Sequence, residues 1–335
     1  MNHGKLHPYP NGWYGVSFSK ELKKGEIKSF MFMGKEVVLF RTQSGTPALL
    51  DAYCPHLGAH LGKGGTIEGE TIRCPFHGFK FNAQGNCTET GYGTKPSPRC
   101  KSYAYPVREK NGVVIAYYHH DNLPPDWEVP TVNMDGWTDL ATHRFELFSH
   151  PQETSENSVD IGHFSIVHGY SGVGVVEDLV TDGPYLTSTY TMDRSAGFLG
   201  RGDKLTAVFK VHVHGLGYSF VEVDVPKFGL KTRQYVLSTP VDGNTIHLRL
   251  ATAIHTDVTP AKINPLLFLF PKKPLAYLIR NATMKGYKHD VGQDFKIWQN
   301  KTYITPPALS KGDGPVAQYR VWAKQFYPQG VEVAS

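Results

Sequence analysis

The tightest constraint on this chain is a pairing of cysteine with histidine that occurs twice: Cys54-Pro-His56, then 17 intervening residues, then Cys74-Pro-Phe-His77. Two thiolates and two imidazoles, one of each per short segment, can converge on a metal centre when the segments form neighbouring loops. Structural zinc uses the same donors, but it ordinarily draws two cysteines from one side and two histidines from the other. One of each per loop suits instead a two-iron cluster in which one iron holds both cysteines and the other both histidines. Four cysteines in 335 residues are too few for a disulfide-dense secreted scaffold. Cys87 and Cys100, which lack a partner motif, therefore read as ordinary reduced thiols, and His60 as packing or support for the first segment.

Around these segments the chain reads as strands. Ile27 to Met33 and Lys35 to Arg41 form a hairpin about Gly34, and Val113 to Tyr118 follows the turn signal Asn111-Gly112. Three prolines between Asp121 and Pro130 stop the sheet, so we place a domain boundary there, giving domains 1–122 and 123–335. The second region opens with a strand at 145–148 and a helix over 149–168, capped at Ser155. Strands at 185–192, 205–214, 218–225, 232–238 and 245–255 follow, then a helix over 274–298. Leu266-Leu-Phe-Leu-Phe270 is expected to be buried rather than an apolar lip, and His212 and His214 to be packing rather than a second metal site. The fold class is α+β: an all-β domain, then an antiparallel sheet wrapped around a long C-terminal helix.

The net charge of +5 is unevenly spread, with 15 Lys/Arg against 8 Asp/Glu through residue 110 and 20 against 22 thereafter. No basic stripe interleaved with aromatics and no nucleic-acid signature accompanies the excess, so nucleic acid is not the expected partner. A basic face suits an acidic protein partner better. No apolar run is long enough to span a membrane and the first residues show no signal segment, so a cytoplasmic location is expected.

A second constellation lies in Glu156-Asn157-Ser-Val-Asp160-Ile-Gly-His163-Phe-Ser-Ile-Val-His168. On an ideal helix Asp160 and His163 share a face, whereas His163 and His168 stand about 140° apart. For both histidines to reach one metal the helix must end, bend or widen between them, and Gly162 lies close by.

The wording of both constellations resembles the Rieske-type non-haem iron oxygenases. Cys54-Pro-His-Leu-Gly-Ala-His-Leu-Gly62 and Cys74-Pro-Phe-His-Gly-Phe-Lys80 are similar to the two loops that hold a Rieske [2Fe-2S] cluster, and 156–168 to the family's Asn-x-x-Asp-x-x-His-x(4)-His motif. The resemblance implies a helix-grip catalytic domain with Fe(II) held by His163, His168 and an aspartate from the long helix. Asp294 in Gln293-Asp294-Phe-Lys-Ile-Trp298 fits that aspartate better than Asp290, one turn earlier. It also implies a homotrimer in which Asp160 bridges His77 of one chain to His163 of the next, with Asn157 as a supporting group.

The implied activity is hydroxylation or desaturation of a hydrophobic, polycyclic steroid-like substrate with dioxygen and two electrons. Those electrons come ultimately from NAD(P)H through a reductase, a ferredoxin or both, for which Lys63, Lys80, Lys95, Arg99 and Lys101 are candidate docking residues. Pro125-Asp-Trp-Glu-Val-Pro130 and Asp294-Phe-Lys-Ile-Trp-x-Asn-Lys301 look most like the group of 3-ketosteroid 9α-hydroxylases and cholesterol 7-desaturases. An aromatic or other natural-product substrate is the alternative within this chemistry. A pure electron carrier would need only the first four residues, and a lipid-binding helix-grip protein would need neither metal site.

Overall fold

A computed structural model describes residues 6–195, 204–263 and 265–328. The chain divides into two compact units, one of residues 11–131 with 239–243, the other of 1–10, 132–238 and 244–335.

The first unit is all β. Strand β1 (Gly12–Phe18) is followed by β2 (Ile27–Phe32), β3 (Lys35–Arg41), β4 (Pro47–Asp51), β5 (Thr66–Glu68), β6 (Thr71–Arg73), β7 (Lys80–Asn82), β8 (Cys87–Glu89), β9 (Ala104–Tyr105), β10 (Val107–Lys110) and β11 (Val113–Tyr118). They form three antiparallel sheets, ordered β1-β11-β10, β2-β3-β4-β9 and β5-β6-β7-β8. The β2-β3 hairpin turns through Met33 and Gly34, both at positive φ. Their amides donate to the carbonyls of Pro240 and Val241, so the short 239–243 segment completes this unit. A core of Val38, Phe40, Leu50, Leu61, Ile72, Phe79 and Phe81 surrounds the buried Cys54 and Cys74.

In the second unit β12 (Ala141–Phe148) leads into helices α1 (Pro151–Glu156) and α2 (Gly162–Ile166). Strands β13 (Ser171–Asp182), β14 (Tyr185–Ser195), β15 (Lys204–His214), β16 (Tyr218–Val225), β17 (Leu230–Pro240) and β18 (Thr245–Ile254) follow, then α3 (Pro260–Ile263), α4 (Lys272–Trp298) and α5 (Val316–Ala323). One seven-stranded sheet runs β12-β18-β17-β16-β15-β14-β13. Helix α4 lies on it: Met284, Tyr287, Val291, Phe295 and Trp298 recur at three- and four-residue steps and pack on Phe145, Leu147, Val236, Ile246, Leu248 and Leu250.

The expected single helix over 149–168 is in fact two. The first starts earlier than a Ser155 cap allows: the His150 ring accepts the Gln152 N–H, and Pro151, whose fixed φ suits a first helical position, follows. Ser155 therefore lies inside α1 and caps nothing. The chain leaves the helix at 157–161, and α2 ends at Ile166, short of His168. The break that two convergent histidines require is thus present. Strand β13 had no counterpart in the sequence reading. Nor is Leu266 to Phe270 buried: Leu266 is 88%, Phe268 67% and Leu269 81% exposed. Only Leu267 of that run turns inward, onto the Ile263 and Leu275 cluster.

Candidate metal centres

In the first unit the two Cys-His segments adopt the same backbone turn. Cys54 N–H donates to the Ala59 carbonyl at 2.8 Å and Gly58 N–H to that of Cys54 at 2.9 Å. Cys74 N–H likewise donates to Phe79 at 2.8 Å and Gly78 N–H to Cys74 at 3.1 Å. Both glycines, four residues past their cysteine, have positive φ, +77° and +68°, which a side chain would strain. The turn buries each cysteine and leaves each histidine partly exposed, although His56 is two residues past its cysteine and His77 three. The imidazole rings meet with centroids 4.8 Å apart, and His56 stacks on Phe79 at 4.3 Å.

This donor set fits a [2Fe-2S] cluster. The two thiols are each 2% exposed and interact with one another; burial first, then the Cys74 neighbour, push the Cys54 thiol up to about 11. Iron held by these thiolates would offset the cost of burying their charge. His60 lies aside, its Nδ1 accepting the Gly62 N–H at 3.0 Å and its ring edge-on to Tyr53. Cys87 and Cys100 are unbridged.

In the second unit, ligand atoms of His163, His168 and Asp294 all lie within 4.8 Å of one another. His168 follows the end of α2, and Asp294 rides on the sheet-facing stripe of α4, where it is 5% exposed. Each histidine has one ring nitrogen engaged. His163 Nδ1 is 2.5 Å from the Asp160 carbonyl oxygen and His168 Nδ1 is 2.8 Å from Gln293 Oε1, so both Nδ1–H groups donate and both Nε2 atoms are left as ligands. His168 Nε2 lies 3.6 Å from Asp294 Oδ2. Burial pushes the Asp294 carboxyl up against the pull of the two imidazoles, and an Asn157 hydrogen bond steadies the carboxylate. A buried carboxylate facing two imidazoles fits a divalent iron, and two histidines with one carboxylate leave coordination positions open.

Asp160 sits beside this group. Its Oδ1 accepts the N–H of Gly162 at 3.1 Å and of His163 at 3.3 Å, while Oδ2 is 3.7 Å from His163 Nδ1. Burial would raise its carboxyl, but the His163 ring and the two amides outweigh that and hold it below the usual range. Asn157 accepts a hydrogen bond from Trp298 Nε1 at 3.4 Å and thereby links α1 to α4. Asp290, the competing ligand, instead accepts the Tyr170 hydroxyl at 3.1 Å. Gln293 had no role in the sequence reading; its adjacency to Asp294, one position off the buried stripe, was the available signal. Below α1, Arg320 grips Glu156 through two nitrogens at 2.7 and 2.9 Å, and Lys301 pairs with the fully buried Glu153.

Among the described residues one further convergent trio appears, His119, His120 and Asp121 at the end of β11; there His120 Nδ1 meets Asn11 Oδ1 and Asp121 is exposed. Among the described residues His212 and His214 join no group of three closely spaced ligand-type side chains. They stack with Tyr185 and Phe220, and His212 Nδ1 is 2.7 Å from the Tyr185 hydroxyl.

Comparison with known proteins agrees with these two centres. Residues 12–104 match the Rieske [2Fe-2S] domain and residues 116–327 the 3-ketosteroid 9alpha-hydroxylase C-terminal domain. The chain is 31% identical to cholesterol 7-desaturase nvd of Drosophila melanogaster over 98% of its own length and 77% of that protein's. It is 29% identical to a probable 3-ketosteroid-9-alpha-monooxygenase oxygenase component of Rhodococcus rhodochrous, over 95% of this chain and 80% of the relative. Its fold is that of dicamba monooxygenase bound to dicamba (TM-score 0.67, 15% identity, 95% of this chain and 97% of that one). Pseudomonas putida CBB5 NdmA QL mutant with caffeine is similar in the same sense (TM-score 0.70, 16% identity, 96% and 93%). With a family model covering more than half its length, the chain belongs to the Rieske-type non-haem iron oxygenases, in the group of the 3-ketosteroid 9α-hydroxylases and cholesterol 7-desaturases.

Proposed function

We propose that this oxygenase hydroxylates or desaturates a hydrophobic, steroid-like substrate, with Cys54, His56, Cys74 and His77 holding the cluster and His163, His168 and Asp294 holding Fe(II). The convergence of those last three side chains within 4.8 Å is the observation that carries the reading. When bound, the two metal groups supply electron storage and dioxygen activation. The chain's own residues do the rest. Gln293 and the Asp160 carbonyl hold the two imidazoles in one tautomer, Asn157 steadies the Asp294 carboxylate, and Trp298 fixes Asn157. The functional division is 1–122 for the electron-carrying domain and 123–335 for catalysis.

In this reading the chain acts as a homotrimer, and the Asp160 carboxylate of one subunit accepts a hydrogen bond from His77 of the next. That would join the His77 ring to the His163 ring already beside Asp160. Electrons come from NAD(P)H through a reductase, a ferredoxin or both, in the cytoplasm. Lys63, Lys95, Arg99 and Lys101, all exposed, are the docking cations, whereas Lys80 is engaged by Glu68 and Glu89. The parallel chemistry of the sterol and ketosteroid relatives supports the substrate class.

Replacing His163 with Ala tests the assignment. Product formation from a panel of sterols, 3-ketosteroids and aromatic acids, driven by a surrogate ferredoxin pair, should vanish while the visible spectrum of the cluster stays intact. Unchanged turnover would overturn the mechanism, and turnover confined to the aromatic acids would overturn the substrate class.

A further inference from the structure

The segment between α3 and α4 is apolar on the outside. Leu266, Phe268 and Leu269 are each more than half exposed, and so is Leu278 in the second turn of α4. Leu267 turns the other way and packs with Ile263, Leu275 and Ala276 against Phe228, Ile254 and Val258. The protruding side chains are therefore carried on an anchored base rather than on a loose loop. Single exposed leucines are ordinary on protein surfaces, but three large apolar side chains within four residues make a patch that calls for a partner.

The surroundings say which partner. Lys262, Lys272 and Lys273 flank the patch and are exposed. The turn after β16 lies against them: a side chain at Gly229 would meet Thr259 and the Lys262 stem, which places the exposed Lys227 beside the same surface. Of these lysines Lys272 is paired with Asp257 at 2.6 Å. A two-fold contact with a second copy would bring this lysine rim near its own image, and a head-to-tail contact within the proposed trimer is tested below through the oligomeric state. An apolar projection ringed by cations instead matches a bilayer with anionic headgroups, in which leucine and phenylalanine enter the acyl boundary and lysines meet phosphate.

We infer that the catalytic unit docks peripherally on anionic lipid bilayers through Leu266, Phe268 and Leu269. The attachment is peripheral because no described helix is long and apolar enough to cross a membrane. The inference deepens the proposed function, since a steroid-like substrate partitions into the same bilayer, but the docking does not depend on that substrate. Asp294 lies 22 residues beyond the start of α4, about 33 Å along the helix axis, so the patch can be altered without touching the metal site.

The test is co-sedimentation of the full-length holoprotein with phosphatidylcholine vesicles, with and without about one-third phosphatidylglycerol. Binding should require the anionic lipid. A Leu266→Asp/Leu269→Asp variant should bind at least about tenfold more weakly while keeping its cluster spectrum, iron content and oligomeric state. Absence of vesicle binding, or equal binding by the variant, would overturn the inference. So would dissociation of the assembly in the variant, because a second copy would then be what covers the patch. None of these results depends on turnover, so the docking can fail while the oxygenase assignment stands, and the His163→Ala experiment can fail while the docking stands.

Discussion

Gly91 offers a direct way to disturb the cluster loops without touching a ligand. A methyl group placed on it would lie 2.0 Å from the His77 carbonyl oxygen, 2.9 Å from the carbon of that group and 3.3 Å from Gly78 Cα. Ordinary contact begins near 3.4 Å, so the second loop must retreat by about 1.4 Å, and the atoms in the way are backbone, which cannot swing aside. Overpacking of this kind costs about 1–3 kcal/mol. It also displaces His77 by more than the roughly 0.5 Å that a preorganised ligand constellation tolerates. Gly93 provides the control. Its φ is +71°, so alanine there is strained by about 1–2 kcal/mol, but nothing lies within 4 Å of the added carbon. We expect Gly91→Ala and Gly93→Ala to lose similar stability in urea. Only Gly91→Ala should lose iron and sulfide and alter the visible circular dichroism of the cluster. A Gly91→Ala protein with full cluster content and an unchanged spectrum, or equal cluster loss in both variants, would refute the steric reasoning.

Three further outcomes are expected. Gln293→Leu removes the acceptor that orients His168, and chelator competition should show iron held about 10–100-fold more weakly, with the cluster unaffected. Arg320→Ala leaves the buried Glu156 carboxylate only the more distant Lys301, at 3.8 Å, and should destabilise in denaturant unfolding by somewhat less than about 3–5 kcal/mol, the cost of a wholly unpaired buried charge. Burial, aided by His212, pushes the His214 imidazole down to about 4 from an ordinary 6.5. The unfolded chain therefore binds the proton first, so stability is full above about pH 6.5 and falls as the pH drops toward 4, by about 3 kcal/mol from this residue alone. Urea midpoints for wild type and His214→Phe at pH 7.5 and 5.0 check this; the variant should lose less on acidification.

Much of the architecture could be read from local signals. The strands at 35–41, 113–118 and 218–225 have the expected bounds because an apolar pattern, bounded by turns, marks each one. Asp294 follows from the family resemblance of Gln293-Asp294-Phe-Lys-Ile-Trp298 rather than from a local pattern. Strand β13 escaped notice because it is an exposed edge strand, with Gly172, Gly174 and three register shifts in place of alternating apolar residues. The split between α1 and α2 was foreseeable only as a requirement of two histidines five apart; its position depends on His150 and on α5 side chains far along the chain. Gln293 and Asn157 act through partners 125 and 141 residues away, contacts that no local pattern encodes. Leu266 to Phe270 misled for a different reason: hydrophobicity predicts burial in whatever apolar phase is available, and the protein's own interior is only one such phase.

The membership of residues 239–243 in the first unit has a practical side. A fragment cut after residue 131 would keep every cluster ligand yet lose the acceptors for the Met33 and Gly34 amides, as well as the Thr239 hydroxyl that donates to Gly15. Electrochemistry on such a truncated piece would therefore report on a molecule with a frayed hairpin, and a potential measured there need not carry over to the intact enzyme. Supplying the missing five residues as a grafted loop would restore the native hydrogen-bonding complement.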